Sequence, residues 1–375
     1  MTNLALKSVL HGCRRYLPVG IAVGVSGLMM VVQAALAMGA FSLSAAPVRL
    51  SQADLWIGPA DAMSLDESRG LSQLAVGRLW LDPDIVRIEA YMSPPFVTIG
   101  EDEDAGEIGF IVALQLGDDT MLLARAIPAA LRQRLADPGT IILDRTDARK
   151  LGVAVGDRLR VSGQSLRVVA LAEGVQAMFG TQIIASELTA RDLGQGAGSE
   201  PAFYLARLRP GADPQAVAAR LENVTPLPEY RVWLPGDLAA QTVRSWALGS
   251  GAGTLFVASS AIALVITLMV VSQTLGAAVA SAMREYAALR AYGISFRAVQ
   301  WIVTKQGLYV CVAALVLTAV ASMLVLWVLH QRGVASELPL PLAGAVSVAL
   351  VLTVVISNLV ALRRLRRADP ASLLR

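Results

Sequence analysis

The sequence is poor in charged and aromatic side chains and contains almost no cysteine or histidine. Only 16% of the 375 residues are charged and 5% are aromatic, whereas a soluble domain averages about 25% charged residues. The two cysteines, Cys13 and Cys311, fall in or near different apolar segments, so we expect no disulfide framework. The two histidines, His11 and His330, lack the spacing of metal ligands, so we expect no metal site there.

Motifs for nucleotide hydrolysis and other catalysis are missing as well. No Gly-Lys pair occurs in the chain, which excludes the phosphate-binding pattern GxxxxGK[ST]. The patterns GxSxG, HExxH and CxxC are also absent. Two glycine-rich stretches, 194–196 and 249–253, follow no predicted strand and are interpreted as flexible loops. We therefore predict no enzyme activity, catalytic residue, cofactor or metal, and we expect any energy input to come from a partner chain.

Long apolar runs dominate the composition. Hydrophobic residues make up 55% of the chain, and the mean hydropathy is +0.57. A helix that crosses the roughly 30 Å hydrocarbon core needs about 20 apolar residues. The first run exceeds the apolar part of a signal peptide, and Pro47 follows the candidate cleavage residues 44–46, so we favour a membrane span over a signal peptide. The predicted transmembrane helices are residues 19–43, 252–275, 307–329 and 338–362.

Charge is segregated along the chain in a way that predicts its topology. Between Leu50 and Trp246 lie 26 acidic and 18 basic residues, whereas the rest of the chain holds 14 basic and 3 acidic residues. The flanks 1–18, 283–300 and 363–375 are basic, so we place both termini and the 283–300 connection in the cytoplasm. The basic balance therefore indicates membrane topology in a lipid bilayer and not nucleic-acid binding.

Residues 44–248 are predicted to form a mixed domain outside the cytoplasm. Asp213 and Pro214 have the pattern of an N-cap followed by the first helical residue. Alternation and β-branched residues predict strands at 84–91, 108–116, 140–143, 158–161, 166–171 and 202–208, and helical patterns occur at 127–135, 144–151 and 213–222. The predicted fold class is an α-helical membrane protein with four transmembrane helices plus an extracytoplasmic α+β domain inserted between helices 1 and 2.

The sequence has few polar features that would indicate a transport path. We interpret the acidic run Glu101–Asp104 as a solvated loop. No predicted span has an ionisable residue at its centre, which argues against a proton-coupled carrier. Polar residues that we expect to form helix–helix hydrogen bonds are Gln33, Gln273 and Asn358, and glycines spaced for close helix contact are Gly20, Gly24 and Gly27.

The connection between the second and third spans has the pattern of an amphipathic helix. Helix-forming residues run unbroken to Gly293, which is placed to end the helix, and Ser295 can cap the next one. The apolar residues Tyr286, Leu289, Tyr292, Phe296 and Val299 recur every three or four positions. This pattern predicts a short helix at the inner membrane surface; an ordinary basic connector is the alternative.

The segment Arg284–Gly293 resembles the signature of the MacB/FtsX-like ABC transporter permease superfamily, and Glu285–Gly293 is most similar to the DevC-type branch. The order of one span, a domain of about 200 residues and three spans also resembles that family. Further similar stretches are Leu151–Asp157 and the tail Ala368–Arg375, whereas Gly249–Gly251 departs from the DevC-type entry to span two.

The resemblance implies a permease subunit of an export system in the bacterial inner membrane. It implies a coupling helix that seats in a separate cytoplasmic ABC ATPase, and its residues would be Arg284, Glu285, Tyr286, Leu289, Arg290 and Gly293. It further implies a homodimer, a periplasmic adaptor protein and an outer-membrane duct. Two alternatives stay open, namely an FtsX-like regulator of cell-wall hydrolases and a lipoprotein-release permease.

Overall fold

The computed structural model describes residues 13–65, 70–71, 77–93, 95–100, 106–194, 200–223, 230–281 and 295–367. The chain divides into two compact units. One unit comprises residues 1–39 and 253–375, and the other comprises residues 40–252.

The helices and strands of both units are numbered in chain order. The helices are α1 (Cys13–Ser44), α2 (Ala46–Arg49), α3 (Ala129–Arg132), α4 (Arg145–Leu151), α5 (Glu187–Asp192), α6 (Pro214–Glu222), α7 (Pro235–Leu248), α8 (Gly251–Ser281), α9 (Phe296–Gln331) and α10 (Leu340–Arg367). The strands are β1 (Leu55–Pro59), β2 (Ile85–Tyr91), β3 (Phe96–Ile99), β4 (Glu107–Leu114), β5 (Thr140–Asp144), β6 (Arg158–Val161), β7 (Gln164–Ala172), β8 (Thr181–Ser186), β9 (Phe203–Leu208) and β10 (Tyr230–Trp233).

Apolar helices long enough to cross a membrane make up the first unit. Within the described residues there are four, and the predicted number of apolar helices is therefore confirmed. Their apolar stretches are Leu17–Ser44, Gly251–Thr274, Thr304–Gln331 and Leu340–Ser357. The last helix begins at Leu340 because Pro339 precedes it as the cap, and its carbonyl accepts the backbone N–H groups of Leu342 and Ala343.

Small and polar residues bring α1 close to its neighbours in this unit. A Cβ atom on Gly27 would lie 2.8 Å from both Leu350 Cδ1 and Thr318 Oγ1, so only glycine fits without a shift. The Thr318 hydroxyl donates to the Gly24 carbonyl at 3.2 Å. Gln33 Nε2 donates to Ser259 Oγ, so Gln33 forms the predicted helix–helix hydrogen bond.

Among the described side chains, Gln273 forms no such hydrogen bond. Gln273 lies on an exposed part of α8, and the side chain of Asn358 lies outside the described part of the chain.

The second unit contains a four-stranded sheet and a closed barrel. The four-stranded sheet has the order β10-β1-β9-β2 and is antiparallel throughout. The closed barrel has the order β3-β4-β8-β5-β7-β6, with parallel pairing between β4 and β8 and between β5 and β7. In the β6–β7 hairpin, Ser162 and Gly163 both have positive φ, which suits the right-handed twist of the two strands. This mixture of strands and helices confirms a mixed α and β domain.

The buried side chains of the described strands belong to three hydrophobic clusters. Leu55 and Ile57 of β1 join the core beneath α6, whereas Trp56 between them joins a second core. In the barrel, Ile141 points into the interior cluster and Ile142 into that same second core. Because a strand's side chains alternate between its two faces, the sheet and the barrel share the core that contains Trp56.

Substituting Gly27 tests the close packing of α1. We expect Gly27→Val to lower the melting temperature of the purified chain, because overpacking typically costs about 1–3 kcal/mol. Gly344→Val is the control, since a Cβ atom at Gly344 meets nothing within 4 Å. Equal melting temperatures for the two variants, measured by thermal denaturation in detergent, would contradict the close contact.

Candidate functional site

Two long helices lead toward the segment that carries the predicted coupling residues. α8 has 31 residues and α9 has 36, which at about 1.5 Å per residue makes them about 46 Å and 54 Å long. The apolar stretch of α8 ends at Thr274 and that of α9 begins at Thr304. Both helices therefore continue for about two turns beyond their apolar stretches, which are themselves long enough to cross a hydrocarbon core of roughly 30 Å.

The predicted coupling residues lie between these two helix ends. Residues 282–294 are outside the described part of the chain, and this range includes Arg284, Glu285, Tyr286, Leu289, Arg290 and Gly293. The structure describes the flanking residues Ser281 and Ser295. The Ser295 hydroxyl accepts the Ala298 N–H at 3.4 Å, so the predicted N-cap of α9 is confirmed.

The membrane surface on this side is marked by an aromatic and a basic residue. Lys305 Nζ lies 5.3 Å from the centre of the Trp301 ring, within the range of a cation–π contact. Tryptophan and lysine are typical of the region where a helix leaves the hydrocarbon. The part of α9 from Phe296 to Trp301 therefore lies outside the apolar stretch, which begins at Thr304.

The chain connections at the other ends of α1 and α8 are anchored in the α/β unit. Ala45 and Val48, which follow α1, belong to the Trp56 core, and so do Leu238 and Ala239 of α7, the helix just before α8. Additional hydrogen bonds hold α7 in place, from Trp233 Nε1 to Gln241 Oε1 at 3.2 Å and from the Leu65 N–H to Thr242 Oγ1 at 3.3 Å. Both connectors are thus fixed to one rigid core.

The described residues include no group of three or more residues able to hold a metal ion. His330 lies in the last turn of α9 and Cys311 is buried within it. His11 and the acidic run Glu101–Asp104 lie outside the described residues.

A buried carboxylate fixes the loop after β4. Glu89 of β2 is 2% exposed, and burial raises the pKa of its carboxyl group. The backbone N–H groups of Met121 and Leu122 donate to it and partly offset this rise. The sequence offered no signal for this pairing, because the partners are backbone groups more than thirty positions away.

A second buried carboxylate belongs to α4, beside the barrel. Burial raises the pKa of Asp147 to about 6, and the Gln182 N–H opposes the rise by donating to Asp147 Oδ2 at 3.2 Å. The carboxylates of Asp144 and Glu107 raise the pKa further, whereas the Lys150 ammonium group lowers it. Asp147 therefore titrates closer to neutrality than an ordinary aspartate.

Family models match most of the chain in two blocks. Residues 19–224 match the MacB-like periplasmic core domain, and residues 257–370 match the FtsX-like permease C-terminal domain. The chain belongs to the MacB/FtsX-type ABC permease family. Members of this family are permease components that work with a cytoplasmic ABC ATPase and are not ATPases themselves. With four apolar helices in the part of the chain that the structure describes, this MacB/FtsX-type permease is a multi-pass protein of the inner membrane.

Solved structures similar to this permease include two extramembrane regions. The periplasmic region of MacB from Actinobacillus actinomycetemcomitans is 10% identical, with 52% of this chain and 95% of that chain covered and a TM-score of 0.34. The extracellular domain of the ABC-type transporter YknZ from Gram-positive bacteria is 13% identical, with 48% and 98% covered and a TM-score of 0.29. No curated protein matches the sequence.

The raised pKa of Asp147 predicts a pH-dependent contribution to stability. The folded pKa, about 6, exceeds the ordinary value of 3.8, so the folded state binds more protons between these values. Stability from this group is present below pH 3.8 and is lost as the pH rises to about 6, by up to about 3 kcal/mol.

Asp147→Asn should remove this dependence. We expect the stability of the variant relative to the natural chain to increase between pH 4 and 6 and then to level off, as measured by thermal unfolding across pH. Asp157→Asn is the control, because Asp157 is exposed and also accepts a backbone N–H, from Ala154 at 2.8 Å. If the stability of both variants relative to the natural chain depends on pH in the same way, the pKa of Asp147 is not raised by burial.

Proposed function

We propose that this chain is the permease subunit of an ABC-type export system, of the DevC-type branch. It would convert ATP-driven motion of the separate ATPase into a conformational change of the α/β unit outside the cytoplasm. The observation that carries the proposal is the pair of helices, α8 and α9, that continue beyond their apolar stretches toward residues 282–294. The DevC-type assignment rests on the sequence of Glu285–Gly293.

The proposed mechanism is mechanical. Arg284–Gly293 would seat in a groove of the ATPase, and closure of two ATPase subunits would draw two such segments together. An uninterrupted helix transmits displacement along its axis, because each residue is hydrogen-bonded within the helix. The connectors α2 and α7 are fixed to the Trp56 core, so movement at the membrane would be passed to the whole α/β unit. Substrate would be handed onward outside the membrane instead of passing through a pore.

Topology and partners follow from the same proposal. The basic flanks support cytoplasmic termini and an α/β unit inserted between the first two spans on the opposite side. One chain offers a single coupling segment for a pair of ATPase subunits, which supports a homodimer. A periplasmic adaptor and an outer-membrane duct would complete a tripartite assembly. A gene for an adaptor protein next to the gene of this chain would favour the export role. A neighbouring gene for a cell-division ATPase would instead favour an FtsX-like regulator.

Charge reversal in the coupling segment tests the proposal directly. We expect Glu285→Lys to weaken co-purification with a candidate ABC ATPase, chosen by gene neighbourhood, by about tenfold or more, because a charge pair at the interface becomes a repulsion. Permease-stimulated ATP turnover should fall in parallel.

Asp61→Lys is the matched control, since Asp61 is an exposed acidic residue of the α/β unit. It should leave both association and turnover unchanged. If Glu285→Lys binds and stimulates the ATPase as well as this control does, Arg284–Gly293 is not the coupling segment.

Cysteine labelling of intact cells tests the proposed orientation. In a background with Cys13 and Cys311 replaced, we expect Val155→Cys to react with a membrane-impermeant maleimide that has crossed the outer membrane. We expect Tyr286→Cys to react only after the inner membrane is opened. The reverse pattern would place the α/β unit in the cytoplasm and overturn the proposed topology.

A further inference from the structure

The α/β unit contains an apolar cleft of about 500 Å³. This volume is within the range of small-molecule sites, roughly 300–1,000 Å³. The lining residues come from the end of α1, from α2, from β2 and the residues after it, from β3 and β4, from β8 and the loop before it, and from α7. The six that carry the argument are Leu43, Phe96, Ile108, Phe110, Phe179 and Trp246.

The cleft lies where the chain enters and leaves the membrane. Leu43 and Ser44 line it and are the last residues of the first apolar stretch. Trp246 also lines it and precedes the second apolar stretch, which starts at Gly251, by five positions. Residues next to both apolar stretches thus contribute to the lining of the cleft.

Large apolar side chains remain exposed around the cleft. Phe96 is 76% exposed, and Ile108 and Phe179 are each 54% exposed. The rings form pairs, Phe96 with Phe110 at 4.9 Å between centroids and Phe179 with Trp246 at 5.9 Å. A contiguous apolar patch of this kind in a folded domain typically marks a binding site, because covering it removes apolar area from water.

The polar atoms of the lining indicate what the cleft does not bind. The described residues that line the cleft include no lysine, arginine, aspartate or glutamate. The Ser44 hydroxyl donates to the Phe41 carbonyl at 2.7 Å, and Gln182 Nε2 donates to the Phe110 carbonyl at 3.4 Å. A phosphate or carboxylate would find no cationic partner here and would lose its hydration, so a charged headgroup is disfavoured inside the cleft.

We propose that this cleft binds the alkyl chain of a single-chain amphiphile drawn from the leaflet in which α1 ends. The chain fills the apolar space between the aromatic pairs, and the headgroup stays in water at the mouth. The idea that the bound amphiphile is the transported molecule rests on the proposed export function. The binding of the amphiphile to the cleft does not depend on that function.

Photolabelling of the full chain tests the site. The protein is placed in nanodiscs of phosphatidylethanolamine and phosphatidylglycerol with a palmitoyl lysophospholipid that carries a diazirine at the end of its chain. After irradiation, we expect label on peptides that contain Phe96, Phe110 or Phe179, and excess unlabelled palmitoyl lysophospholipid should compete it away. Label on α9 peptides reports the amount of probe in the bilayer and serves as the internal standard.

Two pairs of variants locate the label. Ala177→Trp fills the cleft and should lower cleft labelling by about fivefold or more, whereas Val155→Trp adds the same ring at an exposed position outside the cleft and should not. Phe96→Ser should also lower it, whereas Trp80→Ser, which removes another exposed aromatic residue, should not.

Label confined to the spans would overturn the site. The site would also be refuted if the labelling of cleft peptides does not saturate with probe and is not lowered in the Ala177→Trp variant. That result is expected if the aromatic residues only contact the surface of the bilayer. The photolabelling assay contains no ATPase. Its result therefore does not depend on whether Glu285→Lys weakens the association with the ATPase. If cleft labelling saturates and the Glu285→Lys variant still binds and stimulates the ATPase normally, only the assignment of the coupling segment is refuted. The proposed amphiphile site then stands.

Discussion

The core around Trp56 is the constraint on which the α/β unit depends. Its ring packs edge-on against Tyr91 and Phe203 at 5.6 and 6.1 Å, and its indole N–H donates to Ser51 Oγ at 3.3 Å. The same core receives one face of the sheet, the outer face of the barrel, and the connectors α2 and α7. Sheet and barrel therefore cannot move independently without exposing a large apolar area to water.

That shared core also holds the helices next to two of the apolar helices in the chain. The connector α2 follows α1 and the connector α7 precedes α8, and residues of both connectors are buried in this core. The buried Glu89 carboxyl group also holds the Met121–Leu122 segment through backbone hydrogen bonds. Breaking either bond would leave a buried polar group with fewer partners, which is costly.

Much of the secondary structure was predictable from local pattern, and the exceptions have physical causes. Asp213 caps α6 as its sequence predicts, with Oδ1 accepting the Gln215 N–H at 3.0 Å. Strands β1, β3, β8 and β10 were not predicted. In β1 all five residues are buried, so the alternation that marks a half-buried strand is missing. Strand β8 is defined by its partners β4 and β5, which lie far away in the chain. The cleft was equally hidden, because its lining extends from Leu43 to Trp246.

The sequence by itself determined the number of apolar helices, the presence of a mixed α and β domain, and the family resemblance carried by Arg284–Gly293. These depend on composition, length and spacing, which are local properties that a bilayer and a helix impose on any chain. Only the tertiary structure decided that the sheet and the barrel share one core, that Asp147 and Glu89 are buried, and that aromatic residues from distant segments line one cleft. Burial and cavity shape depend on which distant surfaces meet, and no local pattern encodes that.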